Sequence, residues 1–200
     1  MNFEEIVKQR YATKIFDKNR RVDEKLVDRL IEIIRMSPSS YNLQPWMIKI
    51  VRDDDTKKKL LKASYNQPQV ETCSHLLVFC VDIDVLSRLK KIEQAMREKG
   101  VEEEKIKNYS SMIIQVVSSM SEKDLINWLQ KQLYIALANA LNGAKYLGFD
   151  SCPMEGFDPK EYSKILNLPK NLIPTLLCPI GYAADKPREK IRLKKEDIVF

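Results

Sequence analysis

Residues 75–81 constrain the fold most strongly, because they form a continuous apolar run that starts at His75 and ends at Val81. The length of the run and its content of valine, leucine and phenylalanine suit a β-strand that is buried on both faces. Such a strand needs other elements on either side of its sheet. The sequence therefore predicts an inner strand here, covered by structure from the rest of the chain.

Most of the remaining sequence shows helical periodicity with recognisable starts and stops. The longest pattern begins with Ser121 and Asp124 as a capping pair, repeats apolar residues every three or four positions, and ends at Gly148. The other predicted helices are Phe3–Gln9 capped by Asn2, 23–36 opened by Asp23 and ending before Pro38, one after Asp53, two between about 85 and 119, and one opened by Asp158 and Pro159. Further predicted strands are Trp46–Val51, 151–154 and 175–181. This order of elements predicts an α+β fold.

Length and composition limit the class of protein. The chain has 200 residues, of which 44% are hydrophobic and 31% charged, so we expect a single folded domain over residues 1–200 and a cytoplasmic protein. No window reaches the roughly 18 to 20 apolar residues of a membrane-spanning helix. The net charge of +6 comes from basic residues interleaved with acidic ones, as where residues 102–104 precede Lys105. This pattern is typical of solvated helix faces and argues against nucleic-acid binding.

Metal and nucleophilic chemistry have few candidate residues. Cys73, Cys80, Cys152 and Cys178 form no C-x-x-C pair, and His75 is the only histidine. We expect reduced core thiols, no metal site and a structural His75. The sequence also contains no G-x-S-x-G motif, no P-loop and no G-x-G-x-x-G motif, which excludes the common hydrolase and nucleotide-binding fingerprints.

Five polar segments at the ends of predicted elements are the candidate functional residues. They are 10–14, 37–46, 66–69, 153–156 and 190–192. A phosphate dianion favours charge-assisted and bidentate donors, which Arg10, Lys14, Lys190 and Arg192 would provide if the fold brought them together. Each segment taken alone also fits an ordinary surface loop or turn.

Taken together, the order and spacing of these segments resemble the FMN-dependent nitroreductase family from about Phe3 to Ile198. The most specific motifs are RYATKIF at 10–16, SPSSYNLQPW at 37–46, the helix leading into PMEGF at 153–157, and the 179–181 strand followed by Lys190 and Arg192. The resemblance implies an α+β fold with a central mixed sheet surrounded by helices. It also implies a homodimer that exchanges its C-terminal arms, which would account for the tail from Ala183 to Phe200.

The resemblance implies FMN as the cofactor and assigns residues to it. Arg10, Lys14, Lys190 and Arg192 would hold the phosphate and its surroundings, and Glu155 would place its backbone N–H near flavin N5. The other implied FMN contacts are Tyr11, Ala12, Pro38, Ser39, Ser40, Asn42, Asn66, Gln69, Pro153, Met154 and Gly156. Two positions depart from the family pattern, since Ala12 stands where serine is common and Gln69 where one branch has lysine.

The implied activity is reduction of nitroaromatic, quinone or related flat acceptors by NADH or NADPH in a ping-pong reaction through flavin N5. We expect the slot for these molecules to be walled by the helices between about 105 and 119 and by Tyr11 or Tyr65. Three alternatives stay open at this point. The chain could be a flavoenzyme of the same fold with another reaction (dehalogenation, flavin breakdown or a biosynthetic dehydrogenation), a flavin-binding module without turnover, or a basic nucleic-acid binder.

Overall fold

A computed structural model describes all residues from 1 to 200 and contains eight α-helices and four β-strands. The helices are α1 (Phe3–Gln9), α2 (Glu24–Arg35), α3 (Asp54–Lys62), α4 (Pro68–Thr72), α5 (Val85–Glu98), α6 (Glu103–Ser118), α7 (Glu122–Tyr146) and α8 (Pro159–Ile165). The strands are β1 (Trp46–Val51), β2 (His75–Asp82), β3 (Asp150–Ser151) and β4 (Leu172–Gly181). The predicted α+β content is confirmed. None of the helices is both long and apolar enough to cross a membrane.

The four strands form one sheet in the order β1-β2-β4-β3, and every named pair is antiparallel. The sheet thus differs from the expected mixed one, because its parallel component is reduced to a single bridge between Ala12 and Ser151. That bridge adds the segment after α1 to the edge of the sheet. It brings residues 10–14 beside the start of the 151–156 segment.

Strand β2 is buried along its whole length, as the apolar run predicts. Leu77, Phe79 and Val81 point into a core cluster that includes α2 and α7. Leu76 and Val78 point into a second cluster on the other face, against α3 and α8. Alternate side chains of one strand therefore enter two cores, because successive residues of a strand face opposite sides of the sheet.

The predicted helix starts are confirmed by hydrogen bonds at each cap. Side chains of Asn2, Asp23, Asp53, Ser121 and Asp158 accept backbone N–H groups in the first turns of α1, α2, α3, α7 and α8. Gly148 follows the end of α7 with a φ of 89°, a left-handed conformation that glycine adopts without strain. These interactions lie within a few residues of each other in sequence, and for that reason the sequence predicts them well.

Three features differ from the predicted elements. Helix α4 was not expected, and the predicted strand at 151–154 is shorter because only Asp150–Ser151 form β3. Met154 still pairs with Leu177 through an isolated bridge. The tail beyond Asp185 has no helix or strand apart from a short 3-10 turn, and its apolar residues are exposed.

All four cysteines are free and buried, as expected. Burial raises the pKa of the Cys73 and Cys80 thiols to about 12. A thiol with such a pKa holds almost no thiolate near neutral pH, so neither cysteine is a nucleophile.

His75 joins the start of β2 to α2. Its Nε2 lies 2.9 Å from Glu24 Oε1, and its Nδ1 lies 2.9 Å from Ser74 Oγ. The Ser74 hydroxyl oxygen also accepts the backbone N–H of Val22 at 2.8 Å. The histidine therefore has the structural role that the sequence favours.

Burial lowers the pKa of His75 below its ordinary value of 6.5, although Glu24 acts in the opposite direction. As the pH falls below 6.5, the unfolded chain takes up a proton that the native histidine resists, so stability decreases by at most about 1.4 kcal/mol per pH unit. Because the chain has one histidine, an NMR titration can follow it without assignment. We expect a midpoint below 6.5, whereas a midpoint above it would contradict this account.

Candidate functional site

Three cations from the two ends of the chain, Arg10, Lys190 and Arg192, come together in three dimensions, and Lys14 lies in the adjoining segment. Lys190 Nζ donates to the carbonyl of Val7 in α1 at 2.6 Å, which brings the tail to the end of that helix, next to Arg10. Burial, followed by the positive charges of Arg10 and Arg192, lowers the pKa of Lys190. None of Arg10, Lys14, Lys190 and Arg192 forms an ion pair with a carboxylate. These cations therefore form no direct ion pair, although the carboxylates of Asp150 and Asp185 border the same groove as Lys190.

Asp185 fixes the tail against residues 11–14. Its carboxylate accepts the Tyr11 hydroxyl at 3.0 Å and the backbone N–H of Lys14 at 2.8 Å. Burial and, to a smaller extent, Asp185 raise the pKa of Tyr11 to about 12. Tyr11 therefore stays protonated and acts as a hydrogen-bond donor. Sequence reasoning missed Asp185, because nothing in the local pattern indicates a partner so far away in the chain.

The segment that contains Lys14 contacts the residues that precede Pro153. Lys14 Nζ lies 3.6 Å from Cys152 Sγ, and the N–H of Thr13 donates to the carbonyl of Ser151 at 3.3 Å. Ala12, next to them, forms the parallel bridge with Ser151. Three of the predicted segments, 10–14, 153–156 and 190–192, are thereby brought to one edge of the sheet.

Two backbone donors in the 153–156 segment are free. Met154 exchanges hydrogen bonds with Leu177 at 3.0 and 2.9 Å, whereas the N–H groups of Glu155 and Gly156 donate to no acceptor within the chain. Both residues are exposed. Free N–H groups on a segment anchored to a sheet are preorganised donors for the polar edge of a ligand.

Two side-chain amides, linked by a hydrogen bond, hold the 153–156 segment in place. Gln67 Nε2 donates to the carbonyl of Gly156 at 2.7 Å, and Gln69 Nε2 donates to Gln67 Oε1 at 3.2 Å. A Cβ at Gly156 would lie 2.8 Å from Gln67 Nε2, so a larger residue there would displace the Gln67 amide. Asn66 lies next to them in a left-handed conformation, with φ 56°. Gln67 was not singled out in the sequence, yet it contacts the 153–156 segment directly.

An apolar groove opens beside Glu155. It has a volume of about 410 Å³ and is lined by Leu137, Leu141 and Leu176 with Met154. Tyr134 of α7 stands at its rim and donates its hydroxyl to Glu155 Oε1 at 2.7 Å. Tyr134 and the groove were also missed, because the apolar spacing of α7 indicates a core helix and not which residues border a ligand.

The loop containing Pro38, Ser39, Ser40 and Asn42 is anchored elsewhere, on α7. The Ser40 N–H donates to Gln132 Oε1 at 2.9 Å, and Ser39 Oγ accepts the N–H of Gln44 at 2.8 Å. No hydrogen bond joins this loop to the cations or to the 153–156 segment. Within one chain, the predicted residues therefore form two groups.

The region expected to wall the substrate slot contacts the second group. Tyr109 of α6 donates its hydroxyl to the carbonyl of Tyr41 at 2.5 Å. Tyr65 is exposed at the end of α3 in a left-handed conformation, with φ 53°. The slot itself stays a prediction.

Comparisons with known proteins match most of the chain. The sequence profile described as the Nitroreductase family matches residues 7–182. A relative from Staphylococcus haemolyticus, named as a candidate NAD(P)H nitroreductase, is 33% identical over 209 aligned positions that cover 95% of this chain and 92% of the relative.

Solved structures share the fold. A candidate NAD(P)H:FMN oxidoreductase from Staphylococcus epidermidis superposes with a TM-score of 0.92 at 24% identity, covering 98% of this chain and 94% of its own. A candidate nitroreductase from Exiguobacterium sibiricum, solved in complex with FMN, superposes with a TM-score of 0.89 at 25% identity, covering 100% and 97%. The architecture is thus a nitroreductase-like α+β fold. The chain belongs to the Nitroreductase family.

Proposed function

We propose that the protein is an FMN-dependent NAD(P)H oxidoreductase that reduces nitroaromatic, quinone or related flat acceptors. The observation that carries the proposal is the set of cations without ion pairs, namely Arg10, Lys190 and Arg192 with Lys14 in the adjoining segment. The 151–156 segment connects this set to the free N–H groups of Glu155 and Gly156. A phosphate-bearing ligand with a polar ring edge matches both features at once.

The residues present fit FMN. Arg10, Lys14, Lys190 and Arg192 would hold the phosphate, since none of them forms an ion pair with a carboxylate. The free N–H of Glu155 would serve flavin N5, with Pro153, Met154 and Gly156 along the ring. Asn66 and Gln69 would face the pyrimidine edge, and Tyr11 and Ala12 would lie near the phosphate. In this proposal the cofactor carries the chemistry, so no side chain needs to act as an acid or a base.

When bound, FMN supplies the hydride chemistry between a nicotinamide donor and the acceptor. The protein's own part is to bind, orient and exclude water. Tyr134 holds the Glu155 side chain, while Gln67 holds the Gly156 carbonyl, so the two free N–H groups between these anchors keep their direction. Donor and acceptor would use the same face in turn.

The complete site requires a second copy in this proposal. Pro38, Ser39, Ser40 and Asn42 are not joined to the cations within one chain, so these four residues would reach the flavin of the partner. The C-terminal tail continues beyond its contact with α1. Its Ile191, Leu193 and Ile198 side chains are exposed. Burial of these side chains on another subunit would remove apolar surface from water. We therefore propose a cytoplasmic homodimer in which each chain is one domain and the C-terminal arms are exchanged.

Steady-state kinetics test the proposed reaction. With NADPH or NADH varied at several fixed concentrations of a nitroaromatic or a quinone, double-reciprocal plots should be parallel, because the two substrates occupy one site in turn. Intersecting lines would contradict a shared site. Turnover of neither acceptor by a protein that holds FMN would favour another reaction of the same fold or a flavin-binding module.

Gln69→Lys is expected to raise the midpoint potential of the bound flavin. A cation near the pyrimidine edge stabilises the anionic reduced form more than a neutral amide does. An effect of about 1 to 2 kcal/mol corresponds to roughly 20 to 40 mV for two electrons. Potentiometric titration measures the shift, and Gln69→Met is the neutral control of similar length. An unchanged potential in Gln69→Lys would show that residue 69 does not face the ring.

A further inference from the structure

A second cavity, of about 450 Å³, lies between the end of α2, the loop before β1 and helix α5. Four basic residues line it, namely Arg35, Arg88, Lys91 and Lys99, and no acidic residue does. A chain with 34 basic and 28 acidic residues has enough carboxylates to place negative charges among the positive ones over its surface. A cavity lined by one sign of charge therefore stands out, since such clefts concentrate counter-ions.

Two of these cations have no carboxylate partner. Arg35 pairs with Glu32 at 2.7 Å, and Arg88 pairs with Asp82 at 3.0 Å. Lys91 and Lys99 form no ion pair. They stand on α5 and at its C-terminal end, eight residues apart by their numbers, which is about two helical turns. The cavity thus carries a net positive charge that an anion would neutralise.

The same cavity has an apolar side. Leu43, Ile92, Met96 and Val101 line it. Leu43 is fully buried beneath the loop, and Ile92 packs against the larger core cluster. Small-molecule sites combine an apolar lining with a few polar groups in a volume of about 300 to 1,000 Å³. A simple inorganic anion would leave this apolar surface uncovered.

One wall of the cavity is the loop before β1, which has a strained backbone. Asn42 and Gln44 have φ values of 50° and 47°, in the left-handed region that costs a non-glycine residue energy. Arg88 maintains the loop by donating from Nη1 to the carbonyl of Gln44 at 2.6 Å. Its Nε is buried and donates to no acceptor. An unsatisfied donor on α5 and strained residues in the facing loop are features that functional sites retain.

We propose that this cavity binds an amphipathic monocarboxylate, with the carboxylate at the rim that carries Lys91 and Lys99 and the alkyl or aryl body on Ile92, Met96 and Val101. The combination of lysines without an ion pair and an apolar lining favours this class over a neutral hydrocarbon and over inorganic phosphate. The cavity is separate from the cations that we assign to the FMN phosphate, but Asn42 in its lining belongs to the loop that we place against the partner's flavin. Its occupancy does not depend on the proposed redox activity.

Calorimetric titration of the full-length protein, in buffer saturated with FMN, tests the proposal with octanoate as the probe. Saturation with FMN keeps octanoate from the phosphate-binding cations. We expect octanoate to bind with a dissociation constant below about 1 mM, and octan-1-ol and acetate to bind at least about tenfold more weakly. Equal binding of octanoate and octan-1-ol, or no heat with octanoate up to about 10 mM, would overturn the proposal.

Ala95→Glu places a carboxylate at the lining of the cavity, and Gln94→Glu places the same charge one residue away, outside the lining. Both positions are exposed on α5, so both variants should fold. We expect Ala95→Glu to weaken octanoate binding at least about tenfold through repulsion of like charges, and Gln94→Glu to change it less than about threefold. Equal effects in the two variants would place octanoate elsewhere. The readout requires no turnover, so failure of the proposed reductase activity would leave this result interpretable.

Discussion

Replacing Arg10 and Arg192 together with glutamine is expected to weaken FMN binding by about 100-fold or more. A hydrogen bond to a charged group contributes about 1.5 to 3 kcal/mol, and two such losses exceed the roughly 2.8 kcal/mol that 100-fold represents. Both guanidinium groups lack a carboxylate partner, so their removal leaves no buried acid uncompensated. Fluorescence quenching of FMN during titration of the apoprotein measures the affinity.

Lys195→Gln is the matched control for that experiment. Lys195 lies in the same exposed tail and carries the same charge, but no contact connects it to Arg10 or Lys190. Its affinity for FMN should stay within about twofold of the wild type. Unchanged affinity in the double variant would mean that the phosphate lies elsewhere and that the tail has another function.

Gly143→Leu is expected to destabilise the protein by about 3 kcal/mol. Gly143 lies where α7 crosses α2, and a Cβ there would lie 2.9 Å from Leu30 Cδ1 and 3.1 Å from Ile33 Cγ2. Leucine is a good helix former, so helix propensity alone would favour the substitution. The loss therefore reports overpacking of the helix contact, since the larger side chain must displace both neighbours. Urea unfolding measures it.

Gly143→Ala is the control that separates the effect of overpacking from the effect of helix propensity. The added methyl group meets the end of the Leu30 side chain and the Cγ2 methyl group of Ile33, which can shift only slightly, and alanine gains about 1 kcal/mol of helix propensity over glycine. We expect a change within about 1 kcal/mol in either direction, because the two effects oppose each other. A Gly143→Leu protein as stable as the wild type would show that the two helices are further apart than described. Helix α7 also carries Gln132 and Asn139, which hold the 37–40 loop. The distance between α2 and α7 therefore affects the position of the second group of site residues.

The sequence predicts the elements of this fold well where local interactions determine them. Asn2, Asp23 and Ser121 each cap a helix through a backbone group two or three residues ahead. The alternation of β2 between two cores follows from its apolar run. Helix α4 was missed because it has five residues, and its N-cap Gln67 makes no side-chain capping bond.

The candidate site is harder to predict from local sequence patterns, because its contacts join residues that are far apart in the chain. Residues of the right chemistry, such as Arg10 and Lys190, can be chosen from the sequence, but only the fold shows that they are neighbours. Gln67, Tyr134 and Asp185 have no pattern of their own, and their partners lie between 21 and 174 positions away. The resemblance to a family supplied the correspondence between segments that elementary physical chemistry does not.

The most direct test of the central claim is the visible spectrum of the purified protein, followed by anaerobic addition of NADH and of NADPH. We predict a flavin band near about 450 nm that loses its intensity with at least one of the two donors. A matched sample in which Arg10 and Arg192 are both glutamine should show a weaker band after the same purification. A wild-type protein that contains no flavin and takes up none from added FMN would contradict the account.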